Sequence, residues 1–179
     1  GSSVEFAEYR KYVPGDDLRR LDWRVWGRTD RHYVKEYEAD TNLRLCLVLD
    51  SSGSMAYGST GVTRLDYARR LAGALGYLAC RQGDAVGLSC VAERVVRHLP
   101  PRRNPAHLRL VLDALETARP AGASALPQIL HELAETVAQR ALVVVVSDLF
   151  VDPEALAAAF GHLRFRRHDV AVFHLLDPR

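Results

Sequence analysis

The chain has 179 residues, 48% of them hydrophobic, a size and composition suited to one domain with a sizeable core and some additional chain. Its 24 Lys and Arg against 22 Asp and Glu leave a formal charge of +2, which supplies no field of one sign to draw in nucleic acid or an anionic membrane. No apolar run approaches the roughly 18 to 20 residues that span a bilayer, and no charged start followed by a short apolar core marks a signal peptide, so a cytoplasmic location is expected.

Residues 1–42 are aromatic and charged without long periodicity. Tyr9, Tyr12, Trp23, Trp26, Tyr33 and Tyr37 accompany the turn dipeptide Pro14-Gly15 and the run Asp16-Asp17-Leu18-Arg19-Arg20-Leu21-Asp22. Tyr33 to Glu38 alternates like a strand with one polar face. About 40 residues seldom build a core of their own, so this stretch is expected to pack as an extension on residues 43–179. Arg10, Asp17, Asp22, Arg24 and Arg28 are placed to tie it down as an ion-pair lattice.

From Leu43 onward, short apolar strands alternate with amphipathic helices. Leu43 to Leu49, Ala85 to Val91, Ala141 to Val146 and Val170 to Leu176 are Val- and Leu-rich runs of the length expected for strands covered on both faces, and Val95 to Leu99 adds a short edge strand. A helix begins after Thr63, with Asp66 three residues on as a capping box, carries Leu65, Ala68, Leu71, Ala72, Leu75, Leu78 and Ala79 at helical spacing, and ends at Gly83. Asn104-Pro105 and Asp152-Pro153 each read as cap and first residue of a helix, the first with Leu108, Val111, Leu112 and Leu115 on one face, the second carrying Leu156, Phe160 and Leu163. Another helix follows Ser124, buried through Leu126, Ile129, Leu130, Leu133 and Val137. This β-α alternation predicts an open, mostly parallel α/β sheet with helices on both faces.

The first strand ends in Asp50-Ser51-Ser52-Gly53-Ser54, a carboxylate and hydroxyls at alternate positions. In open α/β sheets the ligand crevice lies beyond the carboxyl ends of the strands. A loop curling back there can aim Asp50, Ser52 and Ser54 at one point, a hard-oxygen set that suits Mg²⁺ or Mn²⁺ better than zinc or copper. An Asx/Ser turn closing the strand accounts for the same residues without an ion. Ser147-Asp148-Leu149, after another buried strand, puts a second carboxylate on that rim, where it reads equally as a solvated loop acid or a cap. Ser124 offers a further hydroxyl, or a helix N-cap.

Other chemistry has little support. There is no G-x-S-x-G, Walker A, H-E-x-x-H or G-x-G-x-x-G stretch, and an aspartyl-phosphate phosphatase would want an acid where Ser52 stands. The histidines, among them His98, His107, His131, His162, His168 and His174, are scattered without ligand spacing and are expected to be packed or solvated. Arg19-Arg20, Arg102-Arg103 and Arg166-Arg167 are separated and balanced by acids, as on ordinary surface. Cys46, Cys80 and Cys90 each sit in an apolar segment and read as buried thiols.

Asp50-Ser51-Ser52-Gly53-Ser54 resembles the D-x-S-x-S motif of von Willebrand factor A domains. Glu5-Phe6-Ala7-Glu8-Tyr9-Arg10, Tyr12-Val13-Pro14-Gly15-Asp16-Asp17 and Leu21-Asp22-Trp23-Arg24 through Gly27-Arg28-Thr29 resemble the signature of the bacterial domain-of-unknown-function family 58. The resemblance covers nearly the whole chain. It implies a von Willebrand factor A-like, Rossmann-like domain with a metal-ion-dependent adhesion site, in which Ser124 takes the place of the second-loop threonine and Asp148 that of the third-loop aspartate. Ser124 keeps the hydroxyl but lacks the methyl that fixes a threonine's rotamer. The implied role is to present Mg²⁺ (or Mn²⁺) to a protein partner offering a carboxylate, in company with a MoxR-type AAA+ ATPase in protein assembly or remodelling, without bond chemistry. A metal-dependent hydrolase and a degenerate scaffold with an empty site are the alternatives. Relatives usually continue past residue 179, so a domain truncated at its C-terminus is also implied.

Overall fold

The apolar run before Asp50 is a strand, β1 (Arg44–Asp50), in the computed structural model, which describes residues 43–59 and 61–177. The extension over 1–42, its strand at Tyr33 to Glu38 and the ion-pair lattice expected there lie outside the described residues. A short 3₁₀ turn, Gly53–Ala56, follows β1 and leads to helix α1 (Arg64–Arg81). Then come β2 (Ala85–Val91), β3 (Val95–Arg102), α2 (Pro105–Thr117), α3 (Leu126–Thr136), β4 (Leu142–Ser147), α4 (Pro153–Phe165) and β5 (Asp169–His174). The sheet order is β3-β2-β1-β4-β5, with only the β2/β3 pair antiparallel. This is the open, mostly parallel α/β sheet that the alternating pattern predicts.

Period-two alternation sends the two faces of β1 into separate cores. Leu45, Leu47 and Leu49 pack with Leu65, Ala68 and Ala72 of α1 and Val111 and Leu115 of α2. Cys46 and Val48 face the other way, into Leu126, Ile129 and Leu130 of α3 and Phe160 and Leu163 of α4. With helices on both sides the central strand is apolar throughout, and each fully buried Leu or Phe contributes roughly 1.5 to 3 kcal/mol.

The helix starts follow the side chains that satisfy their free N–H groups. Thr63 Oγ1 accepts from Asp66 N (3.0 Å), and Asp66 Oδ2 accepts from Thr63 N (3.4 Å), so aspartate serves in the capping box. Asn104 Oδ1 accepts from His107 N (2.6 Å) and Asp152 Oδ1 from Glu154 N (3.2 Å), each before a proline in the first turn. Gly83, at φ +86°, supplies the left-handed residue that ends α1. The α3 start differs from expectation: Ala125 is the cap residue, without a side-chain bond, and Val137 lies just past the last turn.

Two strand ends also differ by more than one residue. β5 stops at His174 rather than Leu176, although Leu175 N still donates to Ser147 O (2.9 Å). β3 runs three residues beyond Leu99, through Pro100-Pro101, because an antiparallel edge with register shifts tolerates residues that cannot donate to a ladder. Opposite those prolines β2 carries Gly87, where a Cβ would stand 2.7 Å from both Leu99 O and Pro101 N.

His107 and His168 are packed in the interior, and His168 Nδ1 accepts from Ala141 N (3.2 Å). Among the described residues no helix is long and apolar enough to cross a membrane. Cys46 and Cys90 are buried free thiols, and Cys80 is only partly covered. Desolvation pushes the Cys46 thiol up to about 12 and the Cys90 thiol to about 11, so neither forms the reactive thiolate at neutral pH.

Two outcomes follow from the packing. Gly87→Ala should cost about 1 to 3 kcal/mol in denaturant unfolding, since backbone must move to admit the methyl; an unchanged midpoint would contradict the close approach of β2 and β3. In a Cys80→Ser variant, which removes the partly covered thiol, Cys46 and Cys90 should react with a thiol reagent only after urea unfolding, a burst of labelling in the native variant being the opposing result.

Candidate metal-ion site

Asp50 is the last residue of the central strand, and its side chain is wholly buried. Its two oxygens are held differently. Oδ1 accepts from the backbone N–H of Ser52 (2.9 Å), the Asx turn that the sequence allowed, and Oδ2 accepts from Ser147 Oγ (2.6 Å) at the end of β4. Burial raises the Asp50 carboxyl above the ordinary aspartate value, opposed by hydrogen bonds from Ser147 and Ser52, with the nearby Asp148 charge adding to the rise.

The loop after Asp50 is fastened at several points. Ser51 N and Oγ both donate to Val91 O at the end of β2 (2.7 and 3.1 Å). Met55, in the 3₁₀ turn, is fully buried against the α1 side of the core. Gly53 N donates to Gly122 O (2.8 Å) and Ala121 N to Ser51 O (3.0 Å), which bring the loop before α3 against the first one. Gly122 makes this possible by adopting φ +73°.

These constraints gather the hydroxyls near Asp50. Ser52 Oγ and Ser54 Oγ stand 3.4 Å apart, and Ser124 Oγ points at Asp50 Oδ2 from 3.4 Å. Ser124 Oγ also accepts from Leu126 N at 3.4 Å, too long to make it a strong cap. Adjacent ligands of an octahedral Mg²⁺, with bonds of about 2.1 Å, lie about 3.0 Å apart, so spacings a few tenths wider fit a small divalent ion after slight contraction. Among the described residues no three His, Cys, Asp or Glu side chains gather as a metal cluster. Any ion here would therefore be held by carboxylate plus hydroxyl oxygens and would take further oxygens from outside the protein.

Asp148, next after β4, is on the same rim and nearly buried. Its Oδ1 accepts from Phe150 N (3.3 Å), while Leu149 between them takes φ +57°, a left-handed conformation unusual for leucine. The second oxygen faces Arg64 Nη1 at 3.4 Å. Asp148 is thus neither a solvated acid nor a helix cap.

Four participants went unread in the sequence: Ser147, Arg64, Asp177 and His174. Ser147 was legible from register, because Leu49 pairs with Val146 and the next residues on the two strands are Asp50 and Ser147. Arg64 carried a different signal, a cation at the first position of a helix whose dipole favours acids there. Asp177 meets Arg64 Nη2 at 2.7 Å, and His174 Nε2 lies 3.0 Å from Asp148 O; neither contact has a sequence pattern.

In metal-free protein the raised Asp50 carboxyl gives a defined pH dependence. A group whose folded pKa exceeds its unfolded one stabilises the fold when protonated, and that stability is lost as pH rises from the ordinary value, about 4, through the folded value. With chelator present, Asp50→Asn should unfold at higher urea than the wild type at pH 7 and show a flatter profile above pH 4. Parallel profiles for the two proteins would show that Asp50 is not the group responsible.

The model of the family described as "Protein of unknown function DUF58" matches residues 8–179. Uncharacterized proteins Rv1480 of Mycobacterium tuberculosis and Mb1516 of Mycobacterium bovis are each 31% identical over 189 residues, covering all of this chain and 57% of their own length. The chain thus spans somewhat more than half of these curated relatives. Among solved structures, BatB from Bacteroides thetaiotaomicron superposes with a TM-score of 0.62 at 20% identity, over 73% of this chain and 65% of that one. An aerotolerance-related membrane protein from Bacteroides fragilis gives 0.59 at 20% identity, over 73% and 66%. Likeness at such identity concerns the fold alone. The chain belongs to the DUF58 family and shares the open, mostly parallel α/β fold of the BatB structure.

Proposed function

We propose that this domain is a protein-binding module that uses a divalent ion, Mg²⁺ or Mn²⁺, at the Asp50 rim to hold a carboxylate of a partner protein. The observation that carries this reading is the convergence of the Ser52, Ser54 and Ser124 hydroxyls beside one wholly buried carboxylate at the end of the central strand. Ser52, Ser54 and Ser124 would supply neutral oxygens, Asp50 a charged one, and Asp148 a second charge at the rim. Ser147 and the Ser52 N–H orient Asp50 from behind, leaving its position fixed by the sheet rather than by the ion.

When bound, the ion supplies positive charge that neutral hydroxyls do not cancel, and so favours an anionic oxygen from outside. Tyr57 and Phe150, each 69% exposed, follow the first and third loops and offer apolar contact beside that point. We read the module as non-catalytic, as the family resemblance implies; the Ser89–His98 pair (2.9 Å) belongs to the β2/β3 pairing. A MoxR-type AAA+ ATPase is the partner we infer from family membership, and its need for ATP agrees with a cytoplasmic setting.

Calorimetry with Mn²⁺ tests the metal directly. The wild type should bind, and Asp50→Ala should lose binding entirely while keeping the native circular dichroism; a mutant that still binds, or a wild type that gives no heat, would remove the reading. Capture of the ATPase by the domain should likewise fail in chelator.

A further inference from the structure

Arg64 opens α1, yet its guanidinium reaches back across the candidate site. Nη1 donates to Ser54 O (3.0 Å) and faces Asp148 Oδ2 (3.4 Å), and Nη2 donates to Asp177 Oδ2 (2.7 Å). One side chain therefore joins the first loop, the loop after β4 and the segment after β5. The guanidinium carbon sits 5.7 Å from the centre of the Phe150 ring, and Nε is buried without a hydrogen-bond partner. The Asp148 side chain is 2% exposed, so its charge requires a cation nearby, and Arg64 is the one paired with it.

We propose that Arg64 is an internal competitor for the divalent ion: it holds Asp148 in the metal-free protein and yields that carboxylate when metal binds. The proposal rests on the metal reading above. Two positive groups against one carboxylate repel each other, so metal and guanidinium cannot share Asp148 without loss. The geometry gives the exchange a direction. At 3.4 Å the Asp148 arm is long for a charge-assisted bond, whose usual range is about 2.7 to 2.9 Å, whereas the Asp177 arm lies within it. Arg64 can release Asp148 and remain anchored through Nη2. The Ser54 carbonyl is held by the same Nη1 that leaves, so the hydroxyl loop is freed to contract in the same step. Metal occupancy at the rim is thereby coupled to the chain that follows β5.

Arg64→Gln removes the charge and keeps a polar side chain, and Arg64→Lys keeps the charge but loses the fork. In Mn²⁺ titrations at low salt, Arg64→Gln should bind about tenfold tighter than the wild type, with Arg64→Lys close to the wild type. Adding Mg²⁺ to the wild type should also shift the NMR signals of the Arg64 guanidinium and of the Phe150 amide, and leave the latter unmoved in Asp50→Ala. Equal or weaker Mn²⁺ binding by Arg64→Gln, with the wild type still binding, would overturn the competition and leave the metal reading intact. Absence of binding in both proteins would remove the metal reading and the competition together.

Discussion

The site depends on one buried charge. Asp50 ends a strand that is apolar on both faces, and its carboxylate has no exposure to solvent. A carboxylate in that position is costly unless its oxygens are met, and each partner that meets it comes from a different part of the chain. Ser52 N belongs to its own loop, Ser147 to the neighbouring strand, and Ser124 to the loop before α3. The parallel register of β1 and β4 is therefore also the device that positions the acid. A slip of one residue in that pairing would carry Ser147 to the opposite face and leave Asp50 Oδ2 without its closest donor.

Much of this architecture is visible in the sequence because it rests on local signals. The β2 boundaries follow from a mostly apolar run of seven residues, the start of α1 from Thr63 and Asp66, and its end from Gly83. The Asp-x-Ser-x-Ser loop stands out because polar residues interrupt a buried strand. Other features arise only from tertiary proximity. Pro100-Pro101 looks like the end of a strand until the edge position and the facing Gly87 are known. Asp177 has no local pattern at all, since its role depends on a guanidinium 113 positions earlier in the chain. Ser124 is the intermediate case: its place before a helix suggests a cap, but the Gly53–Gly122 contact draws its hydroxyl toward Asp50.

The electrostatics of the rim are divided between a fixed part and a movable part. Asp50 is fixed, held by a short bond from Ser147 of β4 and by the Ser52 N–H of its own loop. Asp148 is held at one oxygen by the Phe150 N–H and at the other by a long contact to an arginine with a second anchor. Leu149 in its left-handed conformation stores strain at that same turn. The two acids of the rim therefore differ in how tightly the surrounding chain holds them.

Met55 gives the hydroxyl loop a property beyond attachment. It is the chain's only methionine, and it lies fully buried in the middle of an otherwise polar turn, in the same cluster as Leu49 and Leu65. A flexible thioether fills irregular space, so it tolerates small shifts of its neighbours, but oxidation to the sulfoxide places a polar oxygen in that cluster. Ser52 and Ser54, which precede it, would then be displaced together, because they adjoin the same turn as the residue expelled. Because Met55 is wholly shielded in the native fold, such oxidation would have to follow unfolding, and refolding would then have to place a sulfoxide in the core beneath those serines.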